Sequence, residues 1–246
     1  MLEMEINDKI LEDKMINHVY KLFGDFCRQY YEPSEYEHCK RVKNIVKQSK
    51  MYKEADKIDK VYIKCIALGH DIIEDGCVDE TNLFIFIKEL FSISKNFLDP
   101  ELYKQFWDEG RRIFESIIIL TRNNEIDQTY KEYINEIAQF KKDHGKNLPG
   151  GGYNTPDLAH LIKVADILDH LLNFNSLKPS LKKRYFSGLE TLLQDEVIGY
   201  REESDKEKYA DLTNEEYSDL VHERRMGHIM SGVNQLLGID DEDDER

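Results

Sequence analysis

Apolar residues recur at helical spacing along almost the whole 246-residue chain. Spacings of three and four residues place such side chains on one face of a helix, which can then be buried. Only five prolines interrupt the pattern, and alternating runs of β-branched residues, which are typical of strands, are few. The sequence therefore predicts an all-α fold, with helices over residues 8–31, 34–50, 58–75, 79–95, 99–122, 127–143, 156–175, 179–199 and 214–237.

Two of these helices begin with capping residues. Ser34 is followed three residues later by Glu37, which is the spacing of a capping box. The Thr-Pro-Asp sequence at 155–157 predicts an N-cap, a proline at the first helical position and an acid in the first turn. Between helices, three consecutive glycines within 148–153 predict either a flexible connector or a mobile loop over a site.

The composition indicates a water-soluble protein, with 34% charged residues and a mean hydropathy of -0.63. The net charge of -15 argues against a nucleic-acid polymer as partner, because binding to a phosphate backbone needs a basic surface. No run of apolar residues is long enough to span a bilayer, and no leader pattern opens the chain. The four cysteines form no Cys-x-x-Cys pair, so we expect reduced thiols in a cytoplasmic protein with no membrane partner.

The most informative segment reads Leu-Gly-His-Asp-Ile-Ile-Glu-Asp, at 68–75. On a helix, residues four apart share a face, so His70 is expected beside Glu74 and Asp71 beside Asp75. An imidazole next to carboxylates can bind a divalent metal while a further carboxylate stays close to the attacking water. This combination predicts a metal-dependent hydrolase.

Two other segments extend this cluster. A histidine lies near the start of an amphipathic helix at 36–42, and Lys163, Asp166 and His170 are expected along one side of a later helix. Mixed nitrogen and oxygen ligands suit Mn²⁺, Fe²⁺ or Zn²⁺ better than Mg²⁺ or a thiolate-preferring ion. The candidate ligands are two imidazoles and two carboxylates: His38, His70, Asp71 and Asp166.

The order and context of these motifs resemble the HD superfamily of metal-dependent phosphohydrolases. They look most like the hydrolase domain of the RelA/SpoT family and the small alarmone hydrolases, on the segments at 37–42, 67–75 and 163–166. The segments at 120–122 and 130–134 are similar to bacterial members as well. The resemblance covers roughly residues 20–175. It implies an HD-type helical bundle over 1–178. The family's core does not account for the rest of the chain, where helical periodicity predicts a C-terminal extension packed on the bundle over 179–239 and a run of acidic residues predicts a disordered tail over 240–246.

This resemblance also implies roles for single residues. One Mn²⁺ or similar divalent ion would be bound by His38, His70, Asp71 and Asp166, with Glu74 and Asp75 acting on the attacking water. Candidate substrate-binding residues are Arg28, Arg41, Lys163 and His170, with Arg122 as a further candidate cation. Two positions depart from the family pattern: Gly69 stands where leucine is usual, and His170 stands where an asparagine usually holds the nucleotide sugar.

The function implied is hydrolysis of a guanosine 3′-diphosphate 5′-(di/tri)phosphate alarmone to GDP or GTP and pyrophosphate. The departure at His170 leaves open an HD phosphohydrolase for another nucleotide, such as a 5′-nucleotidase, a dNTPase or a cyclic-nucleotide phosphodiesterase. A third alternative is a catalytically inactive domain that binds a nucleotide. The partner is a small-molecule nucleotide in every case, and a homo-oligomer is left open.

Overall fold

The computed structural model of the chain describes residues 2–92, 100–123, 126–144, 154–173, 177–193, 227 and 229–237. All regular secondary structure within these ranges is helical, which confirms the predicted all-α fold. The predicted glycine loop at 148–153, the acidic tail at 240–246 and most of the predicted helix at 214–237 lie outside the described residues. The helices are α1 (Leu2–Tyr30), α2 (Pro33–Val46), α3 (Lys50–Glu54), α4 (Lys57–Gly69), α5 (Glu80–Ser92), α6 (Pro100–Ile119), α7 (Tyr130–His144), α8 (Thr155–Asn173) and α9 (Pro179–Leu192), and residues 229–237 are helical as well.

Helix α8 runs through the centre of the fold and is buried continuously from Leu158 to Asp169. It packs against α2, α6, α7 and α9, while α4 packs against α1, α2 and α6. A helix that is buried on every side places its polar residues in the interior as well. Lys163 and Asp166 are therefore buried charges, and such charges need partners.

Helix α4 ends at Gly69, well before the end that the sequence predicted at residue 75. His70 is its C-cap, and residues 70–76 form hydrogen-bonded turns. The Ile72 N–H donates to the Gly69 carbonyl over 3.1 Å, and Gly76 has a φ of 70°, a conformation that favours glycine. The expectation that the 68–75 segment forms one helical face was therefore wrong.

The caps of two helices also differ from the sequence prediction. Glu32, not Ser34, is the N-cap of α2, and its backbone N–H donates to the Glu35 carboxylate over 3.2 Å. In α8 the Asn154 side chain accepts from the Asp157 N–H over 3.0 Å, so the cap is one residue earlier than predicted. Helix α2 ends at residue 46, and the rest of the helix predicted over 34–50 leads into the short helix α3.

None of the helices in the described ranges is both long enough and apolar enough to cross a membrane. All four cysteines are free thiols. Cys27, Cys39 and Cys65 are buried in the core, and Cys77 is partly exposed.

Candidate metal centre

The four side chains predicted as metal ligands meet between α2, α4 and α8. His38 comes from α2, His70 caps α4, Asp71 follows it in the turn, and Asp166 comes from α8. Each offers one donor atom, and the four atoms lie within 4.8 Å of one another. His38, His70 and Asp166 are buried, and Asp71 is partly buried. Packing between three separate elements therefore brings together four side chains that are spread over more than 120 positions of the sequence.

Four distances between donor atoms are close to those between neighbouring ligands of a single ion. His38 Nε2 lies 3.1 Å from Asp166 Oδ1 and 3.5 Å from Asp71 Oδ2. His70 Nε2 lies 3.1 Å from the same Asp71 oxygen and 3.7 Å from the same Asp166 oxygen. Ligands bound to one ion at about 2.0–2.2 Å are roughly 2.8–3.6 Å from their neighbours. Three of these four distances lie in that range, and the fourth is slightly longer.

Both histidines present the same nitrogen to this space. His38 Nδ1 is 2.8 Å from Asp169 Oδ2, and His70 Nδ1 is 3.0 Å from the Ala67 carbonyl. These acceptors hold the proton on Nδ1, which leaves Nε2 to face the carboxylates. Both Nε2 atoms and Asp166 Oδ1 are buried, and none of them makes a hydrogen bond of good geometry with the described residues. Such atoms and this donor chemistry fit a divalent transition metal.

The electrostatics of the cluster attract positive charge. Burial lowers the pKa of His38, but the close carboxylates of Asp166, Asp169 and Asp71 outweigh burial and raise that pKa to about 11. Burial raises the pKa of Asp166, but neighbouring groups, chiefly Lys163, hold that pKa well below its usual range. Carboxylates that hold protons on nearby imidazoles would stabilise a metal cation in the same place.

A cavity of about 370 Å³ opens beside the cluster. Glu74 and Asp75, the two predicted catalytic carboxylates, lie in its wall. The Glu74 Oε2 atom is buried without a hydrogen-bond partner among the described residues, and burial raises the pKa of Glu74. Partial burial, followed by the charges of nearby carboxylates, raises the pKa of Asp75 to about 6. The cavity is lined by Ser34, Glu35, His38, Asp71, Glu74, Asp75, Arg122, Tyr130, Lys163, Asp166, His170, Arg184 and Tyr185.

In the described part of the chain, three cations line the cavity of this acidic protein. Lys163 is buried and its Nζ lies 2.9 Å from Asp166 Oδ2. Arg122 comes from the segment after α6, and Arg184 comes from α9 with its guanidinium 4.7 Å above the Tyr130 ring. Sequence reasoning named Lys163 and Arg122 but missed Arg184. Helix α9 lies in the segment that the sequence interpretation assigned to a C-terminal extension, yet it supplies part of this wall.

Aromatic rings form a stack at the edge of the cluster. The His170 ring lies between His38 and Tyr185, with centroids at 4.6 Å and 5.0 Å, and the rings of His170 and Tyr185 are nearly parallel. His170 Nε2 is 3.2 Å from Asp166 Oδ1, so His170 touches both the cluster and the cavity. Tyr185 and Tyr130 were not predicted as site residues. The sequence placed Tyr130 in a helical-packing pattern and in the 130–134 segment of the resemblance but gave it no role in a site, and no local motif marks residue 185.

Two predicted substrate-binding residues lie away from the lining of this cavity. The Arg28 side chain is 65% exposed on α1, where it pairs with Asp25 at 3.4 Å. Its guanidinium also lies 5.8 Å from the centroid of the Tyr36 ring. Arg41 is engaged with Asp169, its Nε lying 2.9 Å from Oδ1.

The centre therefore combines buried metal-type donors, carboxylates with raised pKa values and a cation-lined cavity. Comparisons with protein-family models, curated proteins and solved structures found no match to this chain.

Proposed function

We propose that this protein is a metal-dependent phosphohydrolase whose substrate is a guanosine alarmone with a 3′-diphosphate. The observation that carries the proposal is the convergence of His38, His70, Asp71 and Asp166 within 4.8 Å, at the wall of a cavity that also holds Glu74. The choice of the alarmone rests on the resemblance of the 67–75 and 163–166 segments to alarmone hydrolases. The products would be pyrophosphate and GDP or GTP.

The metal would be Mn²⁺ or a similar divalent ion, held by the two histidine Nε2 atoms and one oxygen from each aspartate. Such an ion supplies Lewis-acid chemistry, since it acidifies water and neutralises charge on a phosphate. Residues around the site hold the donor side chains in place through their other polar atoms. Ala67 and Asp169 bind the Nδ1 atoms of His70 and His38, and Lys163 binds the second Asp166 oxygen.

Glu74 would take the proton from the attacking water. Its buried Oε2 atom has no hydrogen-bond partner in the described part of the chain, and its raised pKa makes it a stronger base than an exposed glutamate. Asp75 stands at the cavity wall with a pKa of about 6, suited to hold or return a proton near neutral pH. The water oxygen would bond to the phosphorus next to the 3′ oxygen. The bond from that phosphorus to the 3′ oxygen would break, and the 3′ oxygen would receive the proton.

Substrate phosphates would bind the cations of the cavity wall. Lys163, Arg122 and Arg184 are the cations that line it, and charge-assisted hydrogen bonds to phosphate are among the stronger polar contacts. The ring of Tyr185, at the cavity edge, offers a flat surface for a base or sugar.

A phosphohydrolase for another nucleotide is the second candidate. It is favoured by His170, whose ring is stacked between His38 and Tyr185 where alarmone hydrolases usually have an asparagine. An imidazole in a ring stack does not offer the amide donor and acceptor that hold a sugar hydroxyl. The two candidates differ in products, so product analysis separates them.

The test is incubation of the metal-loaded protein with ppGpp and Mn²⁺, with products separated by chromatography. We expect GDP and pyrophosphate from the wild type. Asp71→Asn and Asp166→Asn should lose activity together with bound metal. Glu74→Gln should keep the metal but lose about 10²–10⁴-fold in kcat, the usual contribution of a general base.

Glu37→Gln is the matched control, because Glu37 is exposed on α2 and forms an ion pair with Lys40, outside the clustered donors. Its activity should equal that of the wild type. Orthophosphate, triphosphate or an opened cyclic nucleotide from a nucleotide panel, with ppGpp unchanged, would favour the second candidate. Tight nucleotide binding with no turnover by the metal-loaded protein would indicate the inactive domain instead.

A further inference from the structure

Asp169 is a buried carboxylate that does not line the cavity, yet it contacts the proposed metal centre. It lies on α8 one turn after Asp166, and it has no exposed surface. Residues three apart share a helix face, so both carboxylates point toward α2. A buried carboxylate is stabilised only by several partners.

The partners of Asp169 saturate both of its oxygens. Arg41 Nε lies 2.9 Å from Oδ1 and 3.2 Å from Oδ2, and Arg41 Nη2 lies 3.0 Å from Oδ2. The Asn173 side-chain amide donates to Oδ1 over 2.7 Å. This forked contact with a guanidinium fixes the plane of the carboxylate as well as its charge.

The remaining contact of Asp169 is His38 Nδ1, at 2.8 Å from Oδ2. An imidazole whose Nδ1 carries the proton has its lone pair on Nε2. In His38 that nitrogen faces Asp166 and Asp71 at 3.1 Å and 3.5 Å. The position of Asp169 therefore decides which nitrogen of His38 is offered to the cluster and how the ring is turned.

We infer that Asp169 is a positioning residue of the metal centre, which holds His38 as an Nε2 ligand and is itself held by Arg41 and Asn173. The inference rests on the metal site of the proposed function. It also gives Arg41 a different role from the substrate contact that the sequence resemblance implied. Two of its donor nitrogens bind Asp169, so Arg41 stabilises a carboxylate behind the centre.

The test is Mn²⁺ titration of the metal-free full chain by calorimetry, which needs no substrate. Loss of such a supporting partner weakens metal binding by about 10–100-fold, and we expect a loss in this range for Asp169→Leu. Asp169→Asn should lose less, because the amide oxygen can still accept from Nδ1. Glu37→Gln, on the exposed face of the same α2 helix, should bind Mn²⁺ like the wild type.

The double variant R41M/D169L separates positioning from a merely structural ion pair. Removing both charges should restore thermal stability relative to D169L, since no guanidinium is left without its partner, while Mn²⁺ affinity stays low. Recovery of metal affinity together with stability would overturn the inference, because Asp169 would then serve only to neutralise Arg41.

Nitrogen-15 spectra of the Zn²⁺-loaded protein read the His38 tautomer directly. The wild type should show the proton on Nδ1, and D169N, which keeps the shape of the side chain, should show a weaker Nδ1 hydrogen bond. Equal Mn²⁺ affinity in wild type, D169N and D169L would overturn the role of Asp169 and leave the proposed function intact. No Mn²⁺ or Zn²⁺ binding by the wild type would overturn both.

Discussion

Lys163 and Asp166 form an ion pair one turn apart on α8, with 2.9 Å between Nζ and Oδ2 and almost no exposed surface on either side chain. The ammonium also lies 5.0 Å from the centroid of the Tyr133 ring. Burial lowers the pKa of Lys163, but the negative charge of Asp166 and of other groups nearby raises it by a larger amount. The resulting pKa is well above the usual value for lysine, so the amine stays charged. The pair holds one oxygen of Asp166 and leaves the other oxygen for the histidines.

Replacing Lys163 by Met should destabilise the fold. Removing one partner of a buried ion pair typically costs about 3–5 kcal/mol, because the other charge remains buried without its counterion. Urea unfolding followed by circular dichroism measures this loss. Lys14→Met, at an exposed position of α1, should change the free energy of unfolding by less than about 0.5 kcal/mol. Equal stability of K163M and K14M would show that Lys163 does not hold Asp166.

Leucine is usual at position 69 in the family that the sequence resembles, but a leucine should not fit there in this structure. A Cβ atom there would lie 3.0 Å from Phe23 Cζ and 3.1 Å from Ile117 Cδ1. Gly69→Leu should therefore destabilise the protein by about 1–3 kcal/mol or more, the usual cost of overpacking. It should also weaken metal binding, because His70 is the next residue.

Gly24→Ala is the control for this prediction, since its Cβ would meet only ordinary contacts at 3.9 Å. Thermal unfolding should place G24A at or above the wild type, because alanine favours a helix by up to about 1 kcal/mol. A Gly69→Leu protein as stable as G24A would mean that α1 and α6 move apart easily at this point.

Asp75→Asn should make the protein more stable and less active. The pKa of Asp75 rises from 3.8 to about 6, first through burial and then through Asp71, Glu35 and Glu74. The folded state therefore binds this proton more tightly than the unfolded state, and the ionised carboxylate opposes folding above about pH 6. The stabilising effect of D75N should be full at pH 8 and shrink as the pH falls through 6 toward 4.

Melting temperatures of wild type and D75N between pH 4 and pH 8 measure this difference. Contributions from titratable groups that both proteins share cancel in the comparison. Asp79→Asn is a suitable comparison, because Asp79 is exposed just before α5. Both carboxylate oxygens of Asp79 accept hydrogen bonds from Asn82. The D79N substitution should therefore destabilise the protein, in contrast to D75N. A D75N protein that is less stable than wild type at pH 8 would contradict the assigned surroundings of Asp75.

Arg184→Ala should weaken substrate binding without changing metal binding. Arg184 lines the cavity from α9 but is not one of the four clustered donors. Losing one charge-assisted hydrogen bond of about 1.5–3 kcal/mol corresponds to a rise in KM of roughly tenfold to a hundredfold. Lys182→Ala, an exposed residue on the same helix, should leave KM unchanged. A tenfold loss of Mn²⁺ affinity in R184A would place Arg184 with the metal centre.

Local sequence patterns were enough for the fold class and for the four clustered residues. Helical spacing of apolar residues persists through most of the chain because each helix must bury one face. The histidines and aspartates stood out because their donor chemistry occurs in short, distinctive segments. The structure brings these four residues together.

The local geometry of the 68–75 segment was not predictable in the same way. Apolar residues at 72 and 73 continue the helical pattern, and Ile72 is fully buried, so periodicity alone extends α4. The turn is visible in the structure through the φ of 70° at Gly76 and the bond from the Val78 N–H to the Ile72 carbonyl. Gly69, the last residue of α4, was the local signal that could have indicated this end of the helix, because an isolated glycine in a helical pattern can mark a helix end.

By itself, the sequence determined the helical character of this protein and the donor residues of its candidate centre, because both depend on residue type and short-range spacing. Only the tertiary structure decided which side chains support that centre. The Asp169 carboxylate reaches Arg41 across 128 positions and His38 across 131. Arg184 and Tyr185 enter the cavity because α9 packs against α7 and α8. Contacts of this kind follow from how whole helices pack, which no local pattern of residues contains.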